Sequence, residues 1–117
     1  MATSLFSHEP NARSFNAGSL IFDAGDAGAV MYAVQAGEVD ILIAESVVET
    51  IGPDGFFGEM ALLENAPRSA RAVARTDCTL AEIDSFAFMR NVSRNPFFAL
   101  EVMRVLARRL RAADRVD

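Results

Sequence analysis

Turn signals recur about every ten residues between Gly18 and Gly58, and every apolar segment between them is too short for a stable helix. Strands are predicted over 19–22, 30–34, 39–44 and 47–51. The intervening turns are Asp23-Ala24-Gly25-Asp26-Ala27-Gly28, Ala36-Gly37-Glu38 and Gly52-Pro53-Asp54-Gly55. The 39–44 segment begins with the period-two alternation of a half-buried strand. Two more strands follow at about 69–75 and 79–83. A chain patterned this way has to fold as an antiparallel sandwich, roll or barrel. Residues 1–17 read as polar and irregular, with at most a short helical turn.

The period changes after residue 84. Asp84 or Ser85 can cap a short helix carrying Phe86, Phe88 and Met89. Asn95-Pro96 then opens a longer helix, with Asn as N-cap and Pro at the first helical position. Leu100, Met103, Leu106, Leu110 and Ala113 recur at spacings of three and four and predict its apolar stripe. Arg104, Arg108, Arg111 and Arg115 line another face, mostly in the later turns, where cations suit the helix dipole. No repeat, low-complexity run or linker interrupts the chain. It reads as one domain, 1–117, with a β-roll over about 18–84 and C-terminal helices over about 85–116.

A length of 117 residues suits a single hydrophobic core. A net charge of −5 makes the chain a poor non-specific nucleic-acid binder. No apolar run approaches the roughly 20 residues of a membrane helix, and the N-terminus lacks the pattern of a signal peptide. Cys78 is the single cysteine, so an internal disulfide is excluded and a reducing cytoplasm is expected. The single histidine, His8, is seventy residues from Cys78, which argues against a zinc site and against a Ser-His-Asp triad. Neither a metal nor a cofactor is expected, and no enzymatic chemistry.

The segment 57–74, FGEMALLENAPRSARAVA, places Glu59 and Arg68 nine positions apart, each beside small or apolar residues. Residues 58–63 can form one helical turn. Entered through Gly58, it offers backbone N–H groups to an anion. Arg68 adds a planar donor fork that matches phosphate oxygens, and Ser69 adds a hydroxyl and an N–H. A nucleoside triphosphate calls for a longer glycine loop with Lys, and the chain has no Lys. Glu59 is repelled by phosphate and suits neutral hydroxyls such as a ribose 2′-OH. Residue types alone leave two readings: an ion pair between Glu59 and Arg68 closing a loop, or a cradle for a sugar phosphate with one negative charge.

The run Phe57-Gly58-Glu59-Met60-Ala61-Leu62-Leu63 followed by Pro67-Arg68-Ser69-Ala70 resembles the phosphate-binding cassette of the cyclic nucleotide-binding domains. That family includes bacterial catabolite activators, regulatory subunits of cyclic AMP-dependent kinase, and cyclic nucleotide-gated channels. Gly18, Gly25-Asp26, Met31-Tyr32 and Gly37 with Val39 extend the similarity over about 15–115. The resemblance implies an antiparallel, jelly-roll-like β-roll, a short cassette helix and C-terminal helices acting as a lid. It implies that Glu59 and the Gly58 backbone hold the ribose 2′-OH, and that Arg68 pairs with the phosphate. Ser69 and N–H groups near Ala61 and Ser69 complete the phosphate nest.

For the base, the resemblance points to Leu110, Arg111, Ala113 and Asp114. Ala113 lacks the hydroxyl found there in the catabolite activators; Arg108, Arg111 or Arg115 stacking on the purine is the alternative. The expected ligand is cyclic AMP, with cyclic GMP second. With Asp117 directly after the long helix, neither a DNA-binding domain nor a membrane segment is expected. A stand-alone bacterial receptor domain is therefore expected, signalling to an effector protein or to a second copy docked through the last helix. Two other readings stay open: an interaction scaffold that has lost the ligand, and a cupin-like enzyme, disfavoured by the single histidine.

Overall fold

The structure is a computed structural model and describes residues 9–114. His8 and Arg115 lie outside the described residues. The chain divides into two compact units, one through Ser85 and one from Phe86 onward.

Among the described residues of the first unit, eight strands form two four-stranded antiparallel sheets. They are β1 (Ala12–Phe15), β2 (Leu20–Phe22), β3 (Val30–Ala36), β4 (Val39–Ile43), β5 (Ser46–Ile51), β6 (Phe56–Phe57), β7 (Arg71–Ala74) and β8 (Cys78–Asp84). One sheet runs β1-β8-β3-β6 and the other β2-β7-β4-β5, the interleaved order of a jelly roll. One short helix, α1 (Glu59–Glu64), sits between β6 and β7. The mainly antiparallel β-architecture with flanking helices matches the sequence expectation.

Two strands correct it. β1 lies in the segment read as irregular, and its register places Arg13 opposite Leu80 and Phe15 opposite Cys78. Of its residues only Phe15 is even half-buried, so this edge strand has no alternation to betray it. β6 is two residues long and pairs Phe57 with Tyr32 and Phe56 with Ala33. So short a strand carries no period.

The core lies between the sheets. Tyr32, Val34, Phe57, Cys78 and Leu80 come from one sheet, and Phe22, Val39, Ile51, Ala72 and Ala74 from the other. Tyr32 with Val34 and Cys78 with Leu80 are two positions apart, so each pair shares a face of its strand. Met31 and Ala33, on the opposite face of β3, are also fully buried. A strand covered on both sides reads as the continuous apolar run seen at 30–34.

The second unit holds most of α2 (Ser85–Arg94) and all of α3 (Pro96–Asp114). Asn95 caps α3 as expected: the Phe97 N–H donates to its Oδ1 at 3.2 Å. The expected stripe is rotated. Among the described side chains of α3, Phe98 and Val102 are buried and Ala99, Glu101, Val105, Leu106 and Arg109 half-buried. Leu100, Met103 and Leu110 are 38%, 57% and 66% exposed. The reason lies in Phe98, whose ring meets Phe88 of α2 edge-on at 5.3 Å. That contact places Phe98 on the buried one of two overlapping apolar faces offered by the helix. Among the described residues no helix is long and apolar enough to cross a membrane.

Candidate functional site

The segment 57–71 builds a compact set of backbone and side-chain groups in the first unit. β6 delivers Phe57 into the core, and the chain then turns at Gly58 with φ 78° and ψ 13°, the left-handed region that favours glycine. α1 starts at once, with no side-chain hydrogen bond capping it. Glu59 occupies its first turn, where a carboxylate suits the helix dipole, and is buried with 7% exposure. Ala61 is buried beside it. Asn65, left-handed at φ 53°, ends the helix by donating its N–H to the Ala61 carbonyl at 3.1 Å.

Among the described residues, Arg68 is the other buried charged residue, also 7% exposed. Its Nη1 donates to the Gly58 carbonyl at 2.9 Å and its Nη2 to the Val30 carbonyl at 2.8 Å. The guanidinium carbon lies 4.2 Å from the centroid of the Phe22 ring and 5.7 Å from that of Tyr32, within cation–π range. Phe22, Tyr32 and Phe57 pack with centroids 5.4 to 6.0 Å apart. No carboxylate among the described residues forms an ion pair with Arg68. Glu59 and Arg68 therefore do not close a loop by pairing. Burial lowers the Arg68 pKa from the ordinary guanidinium range, while Tyr32 and Asp26 act the other way; the group stays charged. Only two of the five guanidinium N–H donors go to these carbonyls, so Arg68 is a buried cation with donors to spare and no ion-pair partner among the described residues.

The β2–β3 turn docks on the same residue through its backbone. Gly25 donates its N–H to the Arg68 carbonyl and Arg68 donates its own to the Asp26 carbonyl, both at 2.8 Å. Arg71 Nε pairs with Asp23 at 3.0 Å, and that hydrogen bond holds the Asp23 carboxyl below its usual range. Arg68 is thus located by five segments: β2, the turn, β3, Gly58 and its own loop.

Gly58, Glu59, Ala61, Arg68 and Ser69 all belong to the first unit; the Arg68 side chain meets the Gly58 carbonyl, and Ser69, next to it in the chain, is exposed. Leu110 and Arg111 are exposed on α3 in the second unit, and Ala113 and Asp114 lie in the last turn of that helix. Sequence reasoning missed Phe22, the Val30 carbonyl and Gly28 as neighbours of the Arg68 side chain. Each is far from it in sequence, and a backbone carbonyl has no residue signature. Among the described residues no group of three or more His, Cys, Asp or Glu is placed to hold a metal ion.

The profile of the cyclic nucleotide-binding domain matches residues 12–95. A cAMP-dependent protein kinase regulatory subunit from Eremothecium gossypii is 44% identical over 73 residues, covering 62% of this chain and 16% of the relative. The cyclic AMP receptor protein of Thermus thermophilus is 36% identical over 107 residues, covering 87% and 50%. The chain thus spans half or less of these two relatives. Among solved structures, the catabolite activator protein of Thermus thermophilus superposes with a TM-score of 0.80 at 31% identity, over 96% of this chain and 60% of that one. An EAL enzyme solved in cAMP-bound and cGMP-bound forms superposes with TM-scores of 0.63 and 0.64 at 33% identity, over 87% and 86% of this chain and 29% and 28% of those. With the profile covering most of the chain and the roll matching the solved structures, the protein belongs to the cyclic nucleotide-binding domain family.

Proposed function

We propose that this chain is a receptor domain for a purine 3′,5′-cyclic monophosphate. The observation that carries the reading is Arg68: a buried cation hydrogen-bonded through its side chain to two neutral carbonyls and in no ion pair with an acid among the described residues, Asp26 acting on it only at a distance. Such a group is costly to bury, and an anionic ligand supplies the missing counter-charge. Arg68 binds the exocyclic phosphate oxygens, assisted by Ser69 and by N–H groups near Ala61 and Ser69. Glu59 and the Gly58 backbone hold the ribose 2′-OH. Leu110, Arg111, Ala113 and Asp114 are the assigned base contacts. Nucleotide shifts the helices between two positions by binding one of them better, and an effector protein or second copy reads the change. The exposed Leu100 and Met103 are the surface for that contact; sedimentation velocity with and without nucleotide tests whether a second copy takes it.

The relatives named for cyclic AMP, and the EAL enzyme bound to either nucleotide, support the ligand class. Cyclic AMP is the first expectation and cyclic GMP the second. The domain works by binding, without catalysis, in the cytoplasm. Parallel calorimetric titrations with both nucleotides test the reading. A ligand at 100 times its Kd adds about 2.7 kcal/mol to stability. A melting curve unmoved by millimolar amounts of either nucleotide overturns the receptor reading in favour of a ligand-free scaffold.

A further inference from the structure

The guanidinium of Arg68 occupies the space that any side chain at position 28 would fill. A Cβ built on Gly28 falls 2.5 Å from Arg68 Cζ and 2.7 Å from Nη2, with Nε closer still. Real Cβ atoms essentially never come within 3.0 Å of a heavy atom in this way. Gly28 does not need to be glycine for its backbone: its φ lies outside the left-handed region adopted by Gly18, Gly25, Gly37 and Gly58. Its φ does not exclude an L-residue, and the three nearest atoms that a Cβ would meet all belong to the Arg68 head group.

That head group cannot easily yield. Phe22 faces it at 4.2 Å, and Nη1 and Nη2 are tied to the carbonyls of Gly58 and Val30. On the Gly58 side a Cβ would come within 2.7 Å of Nη1. The backbone of Arg68 is pinned by its hydrogen bonds with Gly25 and Asp26. Two glycines and one aromatic ring thus shape a slot that holds the guanidinium in one pose.

We propose that Gly28 is a positioning residue for Arg68, using the missing side chain at 28 to set where the guanidinium aims its remaining donors. Its effect on nucleotide affinity rests on the receptor reading; its effect on the pose of Arg68 does not. Gly28→Ala displaces the guanidinium from the Phe22 face and from the Val30 carbonyl.

The experiment has an arm without ligand and an arm with it. In the first, the Arg68 Nε–H resonance is assigned in the ¹H–¹⁵N spectrum from its loss in Arg68→Met. Gly28→Ala is expected to shift that resonance, as is Phe22→Leu, which removes the ring. Urea unfolding completes a double-mutant cycle. Gly28→Ala lowers the midpoint when Arg68 is present. In the Arg68→Met background it leaves the midpoint unchanged or raises it, because Ala at a compatible φ restricts the unfolded chain. An unmoved Nε–H resonance, or the same midpoint change in both backgrounds, overturns the inference; a purely structural glycine gives that equal change. In the second arm, Gly28→Ala is expected to weaken cyclic AMP binding tenfold or more, and wild-type affinity in the variant overturns the inference. If the wild-type chain binds neither nucleotide, the receptor reading fails by itself, and the spectrum and the cycle still decide the role of Gly28.

Discussion

Arg68 does its work through geometry that a change of residue type disturbs even at constant charge. Lys keeps the positive charge but replaces a planar fork with a single ammonium. It cannot reach the Gly58 and Val30 carbonyls and two phosphate oxygens from one nitrogen. A hydrogen bond to a charged group is worth ~1.5–3 kcal/mol, so Arg68→Lys is expected to weaken cyclic AMP binding about tenfold to a hundredfold by calorimetry. Unchanged affinity would remove Arg68 from the phosphate. Glu59→Gln retains an amide oxygen that accepts from a hydroxyl, so it is expected to lose less affinity than Arg68→Ala. The opposite ranking in the same titration would exchange the roles assigned to the two residues.

The hairpin joining β4 and β5 turns through Ala44 and Glu45, between the paired Ile43 and Ser46. Both residues sit in the left-handed region, with φ 51° and 68°. A two-residue turn with both φ positive favours Asn-Gly, because its twist matches that of the strands. Ala and Glu each pay roughly 1–2 kcal/mol for that conformation. The double variant Ala44→Asn with Glu45→Gly is therefore expected to raise the melting temperature. Each kcal/mol gained corresponds to about 4–8 °C in a domain of this size. A lower melting temperature in scanning calorimetry would mean that the native side chains contribute more than their strain. The α3 helix teaches a related lesson. A pattern of threes and fours contains two overlapping stripes, and the one that carries Phe98, in contact with Phe88, is buried.

For the folded chain as a whole, two buried neutral acids are expected to contribute to the loss of stability at alkaline pH. Burial pushes the Tyr32 phenol up, with Glu82 adding to the effect, and burial likewise pushes the Cys78 thiol up, with Asp77 adding to it. Both groups hold their protons more tightly folded than unfolded. Below the ordinary thiol and phenol values, about 8.5 and 10, both states are protonated and the stability is complete. As pH rises past those values the unfolded chain loses protons first, so stability falls until the raised native values are reached. Urea midpoints at pH 7 and pH 10.5 are expected to differ, with a smaller loss in Tyr32→Phe. An equal loss in wild type and variant would assign the alkaline limb to other groups.

Much of this protein was legible in the chain. Glycine turns about every ten residues force short strands, and short strands with apolar faces force two sheets over one core. The switch to a helical period after residue 84, and Asn95-Pro96 at the head of α3, are local signals with local causes. The cassette was legible because acid, Arg and small residues recur at one spacing within eighteen residues. Tertiary structure alone decided what depends on pairing or contact across the chain: the edge strand β1, whose hydrogen bonds come from β8; the buried face of α3; and the slot that Phe22, Gly28 and Gly58 form around Arg68. A period reports which residues of one element share a face, but steric exclusion between residues forty positions apart exists only once the sheets have packed.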